Sequence, residues 1–147
     1  MKEIVDVKLN LDFANPRLPF DYIEEDSHRM SLLKRFAEAQ DLRAVRALAA
    51  EMKDRFGPPP PEADEFVRVA ELRVRCALAG ISNVDAKGTR AVLYRSGSDK
   101  IFKVVDLPGK TPRKKLAELS AATSVGFSAS NTRFVTVRYS TFVTGTT

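Results

Sequence analysis

The sequence is poor in the residues that build metal and redox centres. It contains one cysteine, Cys76, one histidine, His28, and no tryptophan. A single cysteine cannot form a disulfide within the chain, and a zinc site needs about four ligands that are mostly Cys and His. We therefore expect no metal, no cofactor and no histidine-based catalysis. Cys76 is expected to pack as a small apolar side chain of the core, and His28 to lie on the surface.

Long apolar runs are also missing. None approaches the roughly 20 residues that a membrane-spanning helix requires, and the N-terminus lacks the basic and then apolar order of a signal peptide. The 147 residues are 44% hydrophobic and 29% charged, which is ordinary for a soluble globular domain. We expect a single cytoplasmic domain that spans residues 1–147.

Recognisable catalytic motifs are absent as well. The triplet at residues 87–89 has no upstream glycine at the spacing of a phosphate-binding loop, and residues 126–128 lack the second glycine of a nucleophile elbow. The carboxylates at residues 24–26 have no partner base and suit the start of a helix, where negative charge is favourable. The sequence thus predicts that this chain is not an enzyme.

Charge is distributed unevenly along the chain. Residues 1–65 have a net charge of −4 and residues 66–147 a net charge of +9. The densest basic cluster comprises Lys110, Arg113, Lys114 and Lys115. It could contact phosphates, although no aromatic residues are interleaved with it for base stacking, and a solvated helix start is the alternative. A nucleic-acid-binding module that uses this basic half therefore remains one functional hypothesis.

The first half of the chain predicts one strand and three helices. Alternating apolar and polar residues predict a strand at residues 5–11, and prolines force an extended connection at residues 15–19. Helices are predicted at residues 26–39, 42–56 and 62–79. Candidate helix caps are Asp26 or Ser27, Asp41, Gly57 and Gly80; both glycines are expected in the left-handed conformation.

The second half changes to the period of strands. Strands are predicted at residues 81–85, 89–94 and 100–105, joined by turns that contain glycine and therefore read as antiparallel hairpins. A fourth helix follows at residues 112–123, a final strand at residues 132–143, and a frayed tail after it. The predicted fold is α+β, with an N-terminal strand, a three-helix segment, a small antiparallel meander, a further helix and a final strand.

Two arginines fall where the helices should be apolar. Arg29 lies on the apolar stripe of the first helix, and Arg73 points into the middle of the third helix's apolar arc. A buried guanidinium is tolerable only when it is paired. We expect both to be structural buried arginines that meet a carboxylate or backbone carbonyl groups, with Asp21, Glu24 and Asp54 as candidate acids.

Several segments together resemble the C-terminal domain of the bacterial transcription-repair coupling factor, a DNA translocase family. The resemblance spans roughly residues 3–95. It is carried by Leu18-Pro19-Phe20-Asp21-Tyr22-Ile23, Arg29, Leu33-Lys34-Arg35, Glu51-Met52-Lys53-Asp54-Arg55-Phe56-Gly57-Pro58, Ala70-Glu71-Leu72-Arg73 and Leu78-Ala79-Gly80-Ile81.

The resemblance implies a non-catalytic regulatory domain, excised from an ATP-dependent translocase. In that family the domain docks on the N-terminal module that binds the repair ATPase UvrA and masks it until the translocase engages RNA polymerase on DNA. The docking residues it implies are Glu51, Asp54 and Arg55. The residues alone say less: Glu51 and Asp54 face away from their helix's apolar arc, and the simpler alternative is solvated charges with a Glu51–Arg55 ion pair.

Overall fold

The computed structural model describes residues 6–95 and 100–124. Its elements, in chain order, are β1 (Lys8–Leu11), α1 (Asp26–Glu38), α2 (Leu42–Phe56), α3 (Pro61–Ala79), β2 (Ile81–Lys87), β3 (Arg90–Arg95), β4 (Ile101–Asp106) and α4 (Pro112–Ser124). Four helices and a four-stranded mixed sheet confirm the predicted α+β class. The strand predicted at residues 132–143, the tail after it and the triplet at 126–128 lie outside the described residues.

The starts of α1 and α2 differ in their capping. At α2 the prediction is confirmed, because the Asp41 carboxylate accepts a hydrogen bond from the backbone N–H of Ala44 at 2.7 Å. At α1 the predicted caps are wrong. Asp26 is already helical, and the N-cap position belongs to Glu25, which makes no side-chain cap hydrogen bond. Negative charge at Glu25 and Asp26 still suits the positive end of the helix dipole.

Two glycines end helices with positive φ, but only one is in the predicted conformation. Gly80, after α3, has φ 75° and ψ 23°, which is the left-handed helical region. Gly57, after α2, has φ 88° but ψ −174°, so its left-handed helical prediction is wrong in ψ. The reason is the next residue, Pro58, because a residue before proline is pushed to extended ψ.

The sheet has the order β1-β2-β3-β4. The predicted meander is confirmed, since β2–β3 and β3–β4 are antiparallel, and Gly88 forms the first turn with φ 62°. β1 pairs parallel to β2, with Leu9 opposite Val84. A parallel pair needs a long crossover connection, and here the three helices α1, α2 and α3 supply it.

Helix α3 lies between two apolar cores. On one side Leu72 and Cys76 pack with the sheet and with α4. On the other side Ala70 and Val74 pack with α1 and α2. Cys76 is fully buried, as expected, and burial raises its pKa to about 12, which leaves the thiol protonated and unreactive.

Arg29 is held by a backbone carbonyl and a nearby acid. One guanidinium nitrogen, Nη1, donates to the carbonyl oxygen of Ile23 at 2.8 Å, and Nη2 pairs with Asp26. The side chain is 19% exposed, so it is only partly buried. Pairing is confirmed, but Asp21 and Glu24 are not its partners, because the connection before α1 presents the Ile23 carbonyl instead.

Arg73 extends from α3 to the end of α1. Its Nη2 donates to the carbonyl of Phe36 at 2.7 Å and its Nη1 to that of Ala37 at 3.4 Å. These carbonyls belong to the last turn of α1, where the regular i+4 donors of the helix run out, although the Phe36 carbonyl also accepts from the N–H of the C-cap residue Ala39 at 3.3 Å. Carbonyl pairing is thus confirmed, whereas Asp54 is not a partner. Arg73 is partly rather than fully buried, because its guanidinium lies where two helices meet.

Candidate functional site

Helix α2 presents the residues that the sequence singled out. Its apolar side is held in the core by Val45, Leu48 and Met52. Asp54 is exposed and the Glu51 side chain is 35% exposed, so both project away from that buried side, as predicted. Because one side of α2 is packed, the charges on its other sides are carried by a rigid element.

Glu51 is engaged by an arginine of α1 that sequence reasoning did not assign to this site. Arg35 Nη1 donates to Glu51 Oε2 at 2.6 Å, and Nη2 donates to Oε1 at 2.8 Å. Two parallel hydrogen bonds of this kind are the strongest arrangement for an arginine and a carboxylate. Arg35 belongs to a segment that carries the family resemblance, but its pairing with a residue sixteen positions away depends on how α1 packs on α2.

Arg55 completes a three-charge cluster around the same carboxylate. Its Nη1 lies 3.4 Å from Glu51 Oε2, which confirms the predicted ion pair one turn apart. The guanidinium also stacks over the Phe56 ring at 4.9 Å. The hydrogen bonds from Arg35 are the largest cause that lowers the pKa of Glu51, and Arg55 adds to it. The same hydrogen bonds raise the pKa of Arg35.

Asp54 differs from Glu51 in having no counter-ion in the part of the chain that the structure describes. It is exposed on the last turns of α2, and none of the residues in the described ranges 6–95 and 100–124 pairs with it. Within those residues its charge is compensated by solvent alone. Of the two carboxylates, Asp54 is the one ready to accept a cation from outside.

A groove between α1 and α2 runs beside the Arg35–Glu51 pair. It measures about 380 Å³ and is open to solvent. It is lined by Arg35, Glu38, Ala39, Ala44, Ala47, Leu48 and Glu51. Apolar side chains and charged ones thus both line it, a combination that suits an amphipathic side chain such as lysine or arginine.

The end of α2 is fastened to the segment before α1. The Tyr22 hydroxyl donates to the carbonyl of Gly57 at 2.7 Å, and the rings of Tyr22 and Phe56 meet edge to face at 6.1 Å. Burial raises the pKa of Tyr22. His28 lies 6.2 Å from the Phe56 ring and 3.1 Å from Glu25, with 46% of its side chain exposed, which confirms a surface histidine. Two of the segments that carry the resemblance therefore meet here.

The basic cluster near α4 is smaller than predicted. Lys115 is only 9% exposed, and its Nζ donates to the carbonyls of Gly88 at 3.0 Å and Leu107 at 2.8 Å. Including it in a contact patch was wrong, because its position in α4 faces the hairpin turn and the end of β4. The exposed members are Lys110, Arg113 and Lys114.

Two further features are absent from the part of the chain that the structure describes. There, no group of three His, Cys, Asp or Glu side chains lies close enough to hold a metal ion. Within the same residues, no helix has the length and apolar character needed to cross a membrane.

Similar solved and curated proteins point to one family. A curated transcription-repair-coupling factor from Mycobacterium bovis is 36% identical over 91 residues, which are 62% of this chain and 7% of the relative. One from Myxococcus xanthus is 28% identical over 98 residues, or 67% of this chain and 8% of the relative. The chain thus spans less than a tenth of the length of these curated relatives.

The fold is also that of a solved structure. The crystal structure of the C-terminal domain of transcription-repair coupling factor superposes with a TM-score of 0.74, covering 84% of this chain and 92% of that one at 14% identity. At this identity the likeness concerns the fold alone. The TRCF domain model matches residues 14–103, which include all of α1, α2, α3, β2 and β3 and the first half of β4. The chain therefore belongs to the TRCF domain family.

Proposed function

We propose that this chain is a non-catalytic autoinhibitory interaction domain of a transcription-repair coupling factor. It acts in transcription-coupled DNA repair by docking on the N-terminal module of the same protein and masking the surface that binds UvrA. RNA polymerase and DNA are indirect partners, because the translocase must engage them before the mask is removed. Membership of the TRCF domain family supports this assignment.

The observation that carries the proposal is the display of charge on α2. Asp54 is exposed and has no counter-ion among residues 6–95 and 100–124, and it lies beside the half-exposed Glu51–Arg55 pair. An unpaired carboxylate on a rigid helix can accept a cation from another module without first breaking an internal bond. Contacts between charges at a partly exposed surface favour specific, reversible docking.

The proposed switch needs only modest energies. A masked state favoured by a few kcal/mol is populated almost completely, yet the loss of two or three charge contacts is enough to reverse it. Electrostatic docking of this kind also weakens as salt rises, because solvent-exposed charges are screened. The closed state is therefore expected to be sensitive to single substitutions on α2.

The first prediction removes this charge in the full-length translocase. Asp54→Ala, alone and together with Glu51→Ala, should increase binding of UvrA and raise the basal ATPase rate, since the mask is released. Binding would be measured by isothermal titration calorimetry and ATP hydrolysis by phosphate release.

Asp85→Ala is the matched control, because Asp85 is an exposed carboxylate on β2, in the sheet rather than on α2. It should leave both quantities unchanged. If the α2 variants bind UvrA no better than the Asp85→Ala protein does, the docking role is wrong.

A further inference from the structure

We propose that Arg35 is an intradomain competitor for Glu51 that weakens docking, an inference that rests on the docking role proposed above. Arg35 occupies both carboxylate oxygens of Glu51, at 2.6 and 2.8 Å. A cation from the partner module must therefore displace Arg35 or share the carboxylate with it. Arg35, which the family resemblance did not include among the docking residues, thus controls the availability of Glu51, which it did include.

The charge balance around Glu51 favours competition. Arg35 and Arg55 both pair with this single carboxylate, so the cluster of three carries a net positive charge. A cation approaching Glu51 meets two guanidinium groups that already pair with it, whereas a cation approaching Asp54 meets a carboxylate that no described residue pairs with. The two acids of α2 are consequently unequal: Asp54 is open to a partner and Glu51 is occupied.

The Arg35–Glu51 ion pair can open and let a partner cation replace Arg35, because both side chains lie at the surface. The side chains of Arg35 and Glu51 are 44% and 35% exposed, so water can solvate each of them when they separate. Exposed ion pairs are weak because solvent competes for both charges. A partner that supplies an equivalent cation can therefore replace Arg35 without leaving a buried charge unpaired.

The adjoining groove indicates which kind of side chain makes the exchange. When Arg35 moves away, the charged groups left in the groove's lining are the carboxylates of Glu38 and Glu51. The rest of the lining consists of alanines and Leu48. The groove then suits a cationic side chain of the partner module, with its aliphatic stem against the apolar lining and its charged end at Glu51. The occupant is thus a lysine or arginine of the docked module.

The test compares variants of this chain that each lose one positive charge, for binding to the purified N-terminal UvrA-binding module of the parent coupling factor. Arg35→Gln keeps a polar side chain at the position but removes its charge. We expect it to tighten the Kd about two- to five-fold, the range that corresponds to an exposed ion pair. Lys34→Gln removes the same charge from the neighbouring exposed position of α1 and should change the Kd by less than Arg35→Gln does.

A double-mutant cycle isolates the competition from general electrostatics. In a chain that already carries Glu51→Gln, the Arg35→Gln change should no longer tighten binding to the module, because there is no carboxylate to release. If Arg35→Gln binds as the unaltered chain does, or more weakly, Arg35 is not a competitor. A tightening that persists in the Glu51→Gln background also contradicts the inference.

Failure of this inference can be told apart from failure of the docking role. If the unaltered chain binds the module and Asp54→Ala weakens that binding, docking stands, and only the Arg35 variants decide on competition. If the unaltered chain does not bind, both proposals are wrong. Thermal melting of each variant, expected to lie close to that of the unaltered chain because the altered side chains are exposed or half-exposed, confirms that the compared proteins are folded.

Discussion

At the scale of single residues, neighbours in the sequence can have opposite environments. Lys114 and Lys115 are adjacent in α4, yet Lys114 is exposed and Lys115 is buried with two carbonyl groups as acceptors. Buried cationic side chains persist only where they are hydrogen-bonded. Lys115 thereby joins α4 to the turn after β2 and to the end of β4, a structural role rather than a ligand-binding one.

The different environments of Lys114 and Lys115 predict different effects of substitution on stability. Lys115→Met keeps the length of the side chain but removes the donor, leaving the carbonyls of Gly88 and Leu107 without it. The free energy of unfolding should fall by about 1–3 kcal/mol. Lys114→Met is the control, with an expected change within about 0.5 kcal/mol because the side chain is exposed. Urea denaturation would measure both, and equal values would contradict the assigned role of Lys115.

At the scale of elements, the helix ends follow local rules except where a neighbour intervenes. The caps at Asp41 and Gly80 were predictable, because each depends on the residues next to it. The start of α1 was not, since Asp26 is drawn into the helix and pairs with Arg29. Gly57 shows a milder conflict, in which helix termination requires positive φ and the following proline requires extended ψ.

The two helix-ending glycines should therefore respond differently to substitution. A Cβ at either position would meet no atom within 4 Å, so any cost comes from the backbone alone. Gly57→Ala forces alanine into a region that is essentially restricted to glycine, at about 1–3 kcal/mol. Gly80→Ala needs only left-handed helical angles, at roughly 1–2 kcal/mol.

Denaturation of both variants would show whether the cost at Gly57 exceeds that at Gly80. A smaller loss of stability for Gly57→Ala than for Gly80→Ala would contradict the conformation of that helix end. Because the Gly57 carbonyl accepts from the Tyr22 hydroxyl, the same substitution should also loosen the contact between α2 and the segment before α1.

At the scale of the whole molecule, the positive charge of the second half of the chain is the basis of the alternative function, nucleic-acid binding. Only three members of the predicted cluster, Lys110, Arg113 and Lys114, remain available for contact with phosphates. Each phosphate contact releases counterions, so the slope of affinity against salt counts them. With so few contacts, we expect weak DNA binding and a shallow salt dependence.

A salt titration of fluorescently labelled duplex DNA with this chain measures both quantities. Submicromolar affinity together with a steep slope would favour the nucleic-acid-binding alternative over the docking domain. Replacing Lys110, Arg113 and Lys114 by Gln tests whether any binding observed uses this cluster.

The sequence by itself determined the features that depend on neighbouring residues. Periodicity indicated the helices and strands, glycine-containing turns indicated the hairpins, and the apolar arc of α2 indicated that Glu51 and Asp54 point away from the core. These signals are local, because a side chain's direction on a helix or strand follows from its spacing. The segments shared with the coupling factor likewise suggested the family that the comparisons then showed.

Only the tertiary structure decided the contacts between distant segments. It placed β1 parallel to β2, brought Arg35 of α1 onto Glu51 of α2, and directed Arg73 to the end of α1. It also buried Lys115 while leaving its neighbour in solvent. The physical reason is common to all of these contacts. Which charge or strand edge lies beside which depends on how the apolar faces of distant segments pack, and the spacing of nearby residues does not specify that packing.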